Sequence, residues 1–163
     1  MDHLPGPGLA GRMIGQTGTQ ALKALLELAP EPSRWRSVAD LALAQSLPAP
    51  HLEQLLLRLR RAGVLEARRG RHGGYRLAVA PEEVSLSRVL LAVGGWPGGA
   101  AAGAGDGELG AGDEATERVA ALLRQRLTRA IERELEQFTL AELLFDLRSA
   151  RASLSEEGGL MVG

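Results

Sequence analysis

Apolar residues recur at intervals of three and four positions along much of the first half of the chain, a spacing that predicts amphipathic helices. The first predicted helix starts near Thr17, with Gln20 completing a capping box, and presents alanines and leucines on one face. A second, short helix starts at the cap Ser37, and a third ends at Gly63, a residue type suited to helix ends. The tight connection between the second and third helices predicts a helix-turn-helix.

The apolar pattern changes after Gly63 to two runs of strand length, VLEAR and YRLAV, on either side of a glycine-rich tip. Two such runs around a reversing tip predict a β-hairpin. A helix-turn-helix followed directly by a basic hairpin is typical of a winged helix. A further short helix, SLSRVLLAV, is predicted to start at the cap Ser85.

Glycine and alanine dominate residues 96–112, which contain too few large apolar groups to offset the entropy of ordering, so we expect a mobile linker. Helical periodicity then predicts a long amphipathic helix, and Thr139 with Glu142 forms a capping box that starts a shorter one. The long helix has no other long partner in the chain, so we expect a homodimer across it. Its predicted dimer contacts are Val119, Leu123, Leu127, Ile131 and Leu135.

The predicted fold class is mainly α with a small β-hairpin, arranged as a winged helix-turn-helix domain plus a long C-terminal dimerisation helix. The expected divisions are a flexible lead-in at 1–15, the winged helix-turn-helix domain at 16–95, the linker at 96–112, dimerisation helices at 113–155 and a flexible tail at 156–163.

Charge is distributed unevenly, although the formal net charge is only -1. Residues 1–95 carry 12 Lys and Arg against 8 Asp and Glu, whereas residues 96–163 carry 7 against 12. Seven arginines between Arg58 and Arg76 face only Glu66. Such a cluster favours a polyanionic partner, and a merely solvated face is the alternative. The predicted DNA contacts are Ser37, Pro50, His51, Glu53, Gln54, Arg58, Arg60, Arg61, Arg69 and Arg71.

Several function classes are disfavoured by composition. The chain has no cysteine, which excludes disulfides and thiolate metal sites, and we expect no metal site and no cofactor. The stretch GDGELG at 105–110 fits a dinucleotide-binding pattern but follows no predicted strand, so we expect no enzyme. No apolar run is long enough to span a membrane and no signal peptide is evident, which predicts a cytoplasmic protein.

The stretch LEQLLLRLRRAGVLEARRGRHGGYRLA, followed by VSLSRVLLAVGG and FTLAELL, resembles the Rrf2 family of bacterial winged-helix regulators. The resemblance implies a homodimer held by the long helix and major-groove reading by the helix at 49–62. It also implies that Arg69 enters the minor groove and that Glu53 discriminates bases. Gln20 stands where the family usually has an aromatic residue, and the lead-in is longer than typical.

Sensors of this family hold an iron-sulfur cluster on three cysteines in the linker, which this chain lacks. The sequence therefore predicts a dimeric, sequence-specific transcription regulator that does not depend on such a cluster. Repression is the expected mode, a palindromic operator the expected DNA, and an unidentified small molecule the candidate effector. The alternative is a winged-helix protein-interaction module without operator binding.

Overall fold

A computed structural model describes residues 9–95 and 113–160. Within these ranges the chain forms six α-helices and one two-stranded antiparallel sheet, so the predicted fold class is confirmed. In chain order the elements are α1 (Leu9–Leu28), α2 (Val38–Gln45), α3 (Ala49–Arg61), β1 (Leu65–Arg68), β2 (Gly74–Leu77), a 3-10 turn (Pro81–Glu83), α4 (Leu86–Val93), α5 (Glu114–Gln137) and α6 (Leu140–Leu160).

The first helix agrees with the prediction only in part. Its range is Leu9–Leu28, but Gly15, with φ 67° and ψ 169°, is not helical, so two helical segments meet there at a kink. Glycine adopts this backbone conformation at little cost, and the segment that follows it starts beside the predicted start near Thr17, whereas the segment before it was not predicted. The hydroxyl of Thr19 donates to the Gly15 carbonyl at 2.9 Å. Residues 9–14 of the expected flexible lead-in are therefore helical, and residues 1–8 lie outside the described part.

The helix-turn-helix is formed by α2 and α3. The Ser37 hydroxyl accepts a hydrogen bond from the backbone N–H of Asp40 at 3.1 Å, which confirms the predicted cap of α2. Ser46 ends α2 in the left-handed conformation, with φ 52°. Proline in the first turn of α3 costs no intrahelical hydrogen bond, and Gly63, with φ 75°, turns the chain after the helix.

The predicted hairpin is present, with Leu65 opposite Leu77 and Arg68 opposite Gly74. It is joined to the α1–α2 connection by a backbone bridge, in which Arg36 N–H donates to Tyr75 O at 2.9 Å and Tyr75 N–H to Arg36 O at 2.8 Å. Gly74 lies at this junction with φ 138°, and a Cβ there would lie 2.1 Å from the Arg36 carbonyl oxygen. The hairpin is therefore fixed to the body at its second strand.

One apolar core connects the helices and the hairpin. It includes the predicted inward faces of α1 and α3, and Ser87 is the buried polar residue among those described. The largest fully buried side chains are Leu25, Leu28, Leu41, Leu52, Leu55, Leu56, Leu59, Leu90, Leu140, Val64, Val84 and Val89. Because α3 is anchored by four of these leucines, its opposite face is held at a fixed position on the surface.

The C-terminal helices meet the winged domain at one backbone junction. Leu86 N–H donates to Phe138 O at 2.9 Å, and Leu140 N–H to Val84 O at 2.8 Å. The capping box is confirmed, since Thr139 N–H donates to Glu142 at 3.1 Å and Glu142 N–H to the Thr139 hydroxyl at 3.3 Å. However, α6 continues to Leu160, so the expected tail is helical from 156 to 160. The predicted linker at 96–112 lies outside the described residues.

Candidate nucleic-acid interface

The face of α3 opposite its buried leucines presents polar groups to solvent. Glu53 and Gln54 are exposed, and among the described residues they take part in no side-chain hydrogen bond or ion pair. Gln side chains can pair with adenine and Glu can accept from cytosine N4 in the major groove. Pro50 is exposed in the first turn of the same helix. The geometry of α3 therefore suits insertion into a groove.

His51 is held by the side chain of Gln20, a contact that the sequence pattern does not predict. Its Nε2 lies 2.6 Å from Oε1 of Gln20 on α1, and because an amide oxygen accepts, the imidazole donates. The contact joins the first turn of α3 to α1. Only Nδ1 of His51 is then left to face a ligand.

The arginines at the C-terminal end of α3 have different surroundings. Arg58 donates to the Val93 carbonyl at the end of α4, at 3.2 Å. Its guanidinium thus links α3 to α4, although the residue as a whole is exposed. Arg60 and Arg61 are exposed and form no ion pair with any described residue. These two carry positive charge that is open to a partner.

The wing arginines also divide into two groups. The guanidinium carbons of Arg68 and Arg76 lie 4.6 Å and 4.3 Å from the ring centroid of Trp35. Arg76 also pairs with Glu66, and Arg68 donates to the His72 carbonyl at 2.6 Å. Both side chains are engaged within the molecule.

At the tip of the wing, Arg69 and Arg71 are exposed and make no ion pair within the described ranges. Two arginines on α3 and two on the wing tip are therefore the members of the predicted cluster that are exposed and make no hydrogen bond, ion pair or cation–π contact through their side chains with a described residue.

Two residues near this surface are not exposed, the buried Tyr75 and the half-buried Ser37. Burial raises the pKa of the Tyr75 phenol above its ordinary value, the charge of Glu53 raises it further, and the charge of Arg60 lowers it. Tyr75 is thus close enough to α3 for the charges of Glu53 and Arg60 to affect its pKa. Ser37 is half-buried and serves as the cap of α2, which leaves only its hydroxyl proton to donate to a phosphate.

The predicted dimer contacts on α5 differ in exposure along the helix. Val119, Leu123 and Leu127 are 66%, 57% and 54% exposed, whereas Ile131 and Leu135 are half-buried. Positions four apart advance by about 40° around a helix, so the stripe rotates along its length. Its N-terminal part is uncovered in a single chain.

Other kinds of site find little support in the part of the chain that the structure describes. It contains no group of three or more His, Asp or Glu residues that could hold a metal ion. None of its helices is long and apolar enough to cross a membrane.

Trp35 contacts two arginines of the predicted cluster and Gln20 contacts the predicted site residue His51, but neither Trp35 nor Gln20 was itself predicted from the sequence. The one available signal for Trp35 was its place beside Arg34 and Arg36, in a chain with only two tryptophans. Gln20 stood out only as a departure from the pattern of the family that the sequence resembles.

Comparison with known proteins gives consistent matches. The family model named Rrf2, described as "Iron-dependent Transcriptional regulator", matches residues 14–146. A Synechocystis protein named "Putative HTH-type transcriptional regulator slr0846" is 40% identical over 141 residues, covering 83% of this chain and 90% of that protein. The HTH-type transcriptional regulator NsrR of Geobacillus kaustophilus is 33% identical over 150 residues, covering 85% and 94%.

Among solved structures, T. potens IscR superimposes with a TM-score of 0.63 at 28% identity. The superposition covers 88% of this chain and 93% of that one.

Proposed function

The chain belongs to the Rrf2 family of DNA-binding transcriptional regulators, which are not enzymes, and from this we propose its function. We propose that it acts in the cytoplasm as a homodimer that recognises a palindromic operator. In this proposal α3 reads base edges in the major groove, and the wing tip contacts the adjacent backbone and minor groove. Repression is the proposed mode, because a dimer bound across two successive major grooves would exclude polymerase from any promoter that its operator overlaps.

One observation carries the proposal most directly. Arg60, Arg61, Arg69 and Arg71 are exposed on α3 and the wing tip and make no ion pair with a described residue. Arg58 and Arg68 are also exposed, but their guanidinium groups, like that of Arg76, contact other parts of the molecule. When arginines without an ion-pair partner reach the phosphates, counterions condensed on the DNA are released, and this release drives binding to the duplex. Because Arg60 and Arg61 lie on the same helix as the exposed Glu53 and Gln54, their phosphate contacts would position these two side chains against bases.

The test is selection of bound sequences from random duplex DNA with the purified protein. Enrichment of a palindrome whose half-sites lie about one helical turn apart, ~34–36 Å, is the expected result. The Glu53→Ala variant serves as a matched control and should relax the preference at one position in each half-site. Failure of the wild-type protein to enrich any sequence would contradict the proposal and favour a protein-interaction module.

The donor set of this chain does not fit an iron-sulfur cluster, although the family model is described as iron-dependent. Such clusters are held mainly by cysteine thiolates, and the chain contains no cysteine. We therefore propose that its regulation does not depend on a cluster, and that a small molecule takes the place of the cluster as effector.

Protein purified without oxygen should be colourless and contain no stoichiometric iron or acid-labile sulfide. Its affinity for the selected duplex should be the same with and without a chelator. A parallel sample incubated with ferrous iron and sulfide and then desalted controls for weak adventitious binding. Retention of about one cluster per chain in that sample would contradict the proposal.

A further inference from the structure

Trp35 lies against the outward face of the wing. In the register of the hairpin, Glu66, Arg68 and Arg76 share one face, while Leu65, Tyr75 and Leu77 on the other face are buried in the core. Trp35 meets the first of these faces through the two guanidinium groups that lie over its ring. The hairpin is therefore held from both sides, by the apolar core and by a single indole.

The segment that carries Trp35 holds the wing by its backbone as well. Arg36 exchanges both backbone hydrogen bonds with Tyr75, and Arg76 donates to the Ser33 carbonyl at 3.2 Å. The two arginines over Trp35 come from different strands, Arg68 from β1 and Arg76 from β2. One side chain thus contacts both strands, and a tilt of either strand would break a contact.

We propose that Trp35 is a positioning residue for the wing, which sets the angle of the hairpin relative to α3 so that Arg69 and Arg71 reach DNA while Glu53 lies at the bases. This inference rests on the proposed DNA-binding function of the wing. Trp35 itself acts only through Arg68 and Arg76. Its loss should therefore affect the specific complex, in which wing and α3 must bind together, more than non-specific attraction.

The first test needs no DNA. In Trp35→Leu, which keeps an apolar side chain but removes the ring, the amides of Arg36 and Tyr75 should exchange hydrogen about tenfold faster. That figure combines two cation–π pairs at the partly exposed Trp35, each worth about two- to fivefold at the low end of such interactions. Trp35→Phe, which keeps an aromatic face, should lie between the two proteins. Amides in α3, such as those of Leu55 and Leu59, should be unchanged.

The second test compares affinity for the wild-type-selected duplex with affinity for a random-sequence duplex of the same length. Trp35→Leu should bind the selected duplex about tenfold more weakly, from the same two pairs, and the random duplex within about twofold of wild type. Trp35→Phe should recover most of the lost discrimination. Arg68→Gln, which removes one cation and leaves Trp35 in place, should weaken specific binding in the same direction and serves if Trp35→Leu does not fold.

The outcomes separate this inference from the proposed function. Unchanged hairpin exchange and unchanged discrimination in Trp35→Leu, with a wild-type protein that binds its duplex, would overturn the role of Trp35 alone. A wild-type protein that selects no DNA would overturn the proposed function. The exchange rates of the Arg36 and Tyr75 amides would still show whether Trp35 stabilises the hairpin. Equal losses on both duplexes would indicate a purely structural role and also overturn the inference.

Discussion

At the scale of single residues, the surroundings of each arginine decide what it can do. Replacement of both Arg69 and Arg71 by alanine should weaken DNA binding and make its salt dependence shallower. The slope of log affinity against log salt should change by nearly two, because each arginine that no longer reaches a phosphate changes it by about 0.9. Fluorescence anisotropy with a labelled duplex over a range of salt concentrations measures this slope.

Arg151→Ala is the control for that measurement, because it removes one exposed positive charge from α6 rather than from the wing. Its salt slope should equal that of the wild-type protein. A double variant with the wild-type slope would remove the wing tip from the proposed interface.

Tyr75 gives a second residue-scale prediction, because it is the only tyrosine in the chain and its pKa is raised, chiefly by burial. The unfolded chain should titrate near the ordinary tyrosine pKa of about 10, and the folded chain above it. The folded state holds this proton more tightly. Stability from Tyr75 is therefore complete below about pH 10 and is lost as the pH rises through the folded value.

Ultraviolet absorbance of tyrosinate measures the Tyr75 titration in native protein and in denaturant. Chemical unfolding at several alkaline pH values measures the loss of stability, and Tyr75→Phe should lack the part of the loss that Tyr75 causes. A native titration at or below the value in denaturant would contradict the raised pKa.

Residue-scale contacts were predictable from sequence only where they are local. Exposure of Glu53 and Gln54 follows from the spacing of the leucines around them, so helical periodicity was enough. The contact between His51 and Gln20 joins residues 31 positions apart, and the bond from Arg58 to Val93 spans 35. No pattern within a short window encodes such pairs. For the same reason, the contacts of Trp35 with Arg68 and Arg76 could not be predicted.

At the scale of elements, capping residues predicted most of the boundaries. Ser37, Ser85 and the pair Thr139 and Glu142 all form the expected bonds, because a cap lies within three residues of the amide it satisfies. The predicted start near Thr17 matches the helical segment that follows the kink at Gly15, whereas the segment before that kink was not predicted. The predicted end of α6 was wrong because nothing in its last turns, not even Gly158 and Gly159, stops the helix.

The junction between the wing and the α1–α2 connection should be sensitive to one methyl group. Gly74→Ala places a Cβ against the Arg36 carbonyl at a φ of 138°, so both strain and a backbone clash result. Gly70→Ala is the matched control, since Gly70 has a φ of 111° and a Cβ there would meet no atom within 4 Å. Conformational strain alone should lower the free energy of unfolding by about 1–3 kcal/mol in each variant.

The clash should make Gly74→Ala the less stable variant by at least about 1 kcal/mol, because the backbone must shift to relieve it. Urea unfolding of both variants measures the difference. Equal free energies of unfolding for Gly74→Ala and Gly70→Ala would show that the backbone contact between Arg36 and the hairpin can be displaced without loss of stability.

At the scale of the whole molecule, the proposed dimer depends on the uncovered part of α5. Leu123→Glu combined with Leu127→Glu should produce monomers, because both side chains are more than half exposed in one chain and charge there disfavours association. Sedimentation equilibrium measures the change. The pair should leave the fold of the single chain intact, as circular dichroism would show.

Leu154→Glu on α6 is the control, since Leu154 is 67% exposed but lies outside the proposed contact. It should remain a dimer. A double α5 variant that also remains a dimer would place the interface elsewhere.

The overall architecture was largely predictable, because its elements follow one another in sequence and each carries its own pattern. What the sequence did not reveal is how they are joined. The bridge between Ser85 and Thr139 ties the start of α4 to the junction of α5 and α6, across more than fifty residues. Contacts of this kind depend on the packed core rather than on any local signal.

The exposed leucines of α5 also bear on how much of the protein a cell must make. Dimerisation follows mass action, so at concentrations where single chains predominate, the amount of dimer varies with the square of the total. For the proposed dimer, a twofold rise in synthesis would then give about a fourfold rise in the species that can occupy both half-sites. A regulator that dimerises as proposed would turn a modest change in its own expression into a steep change in operator occupancy.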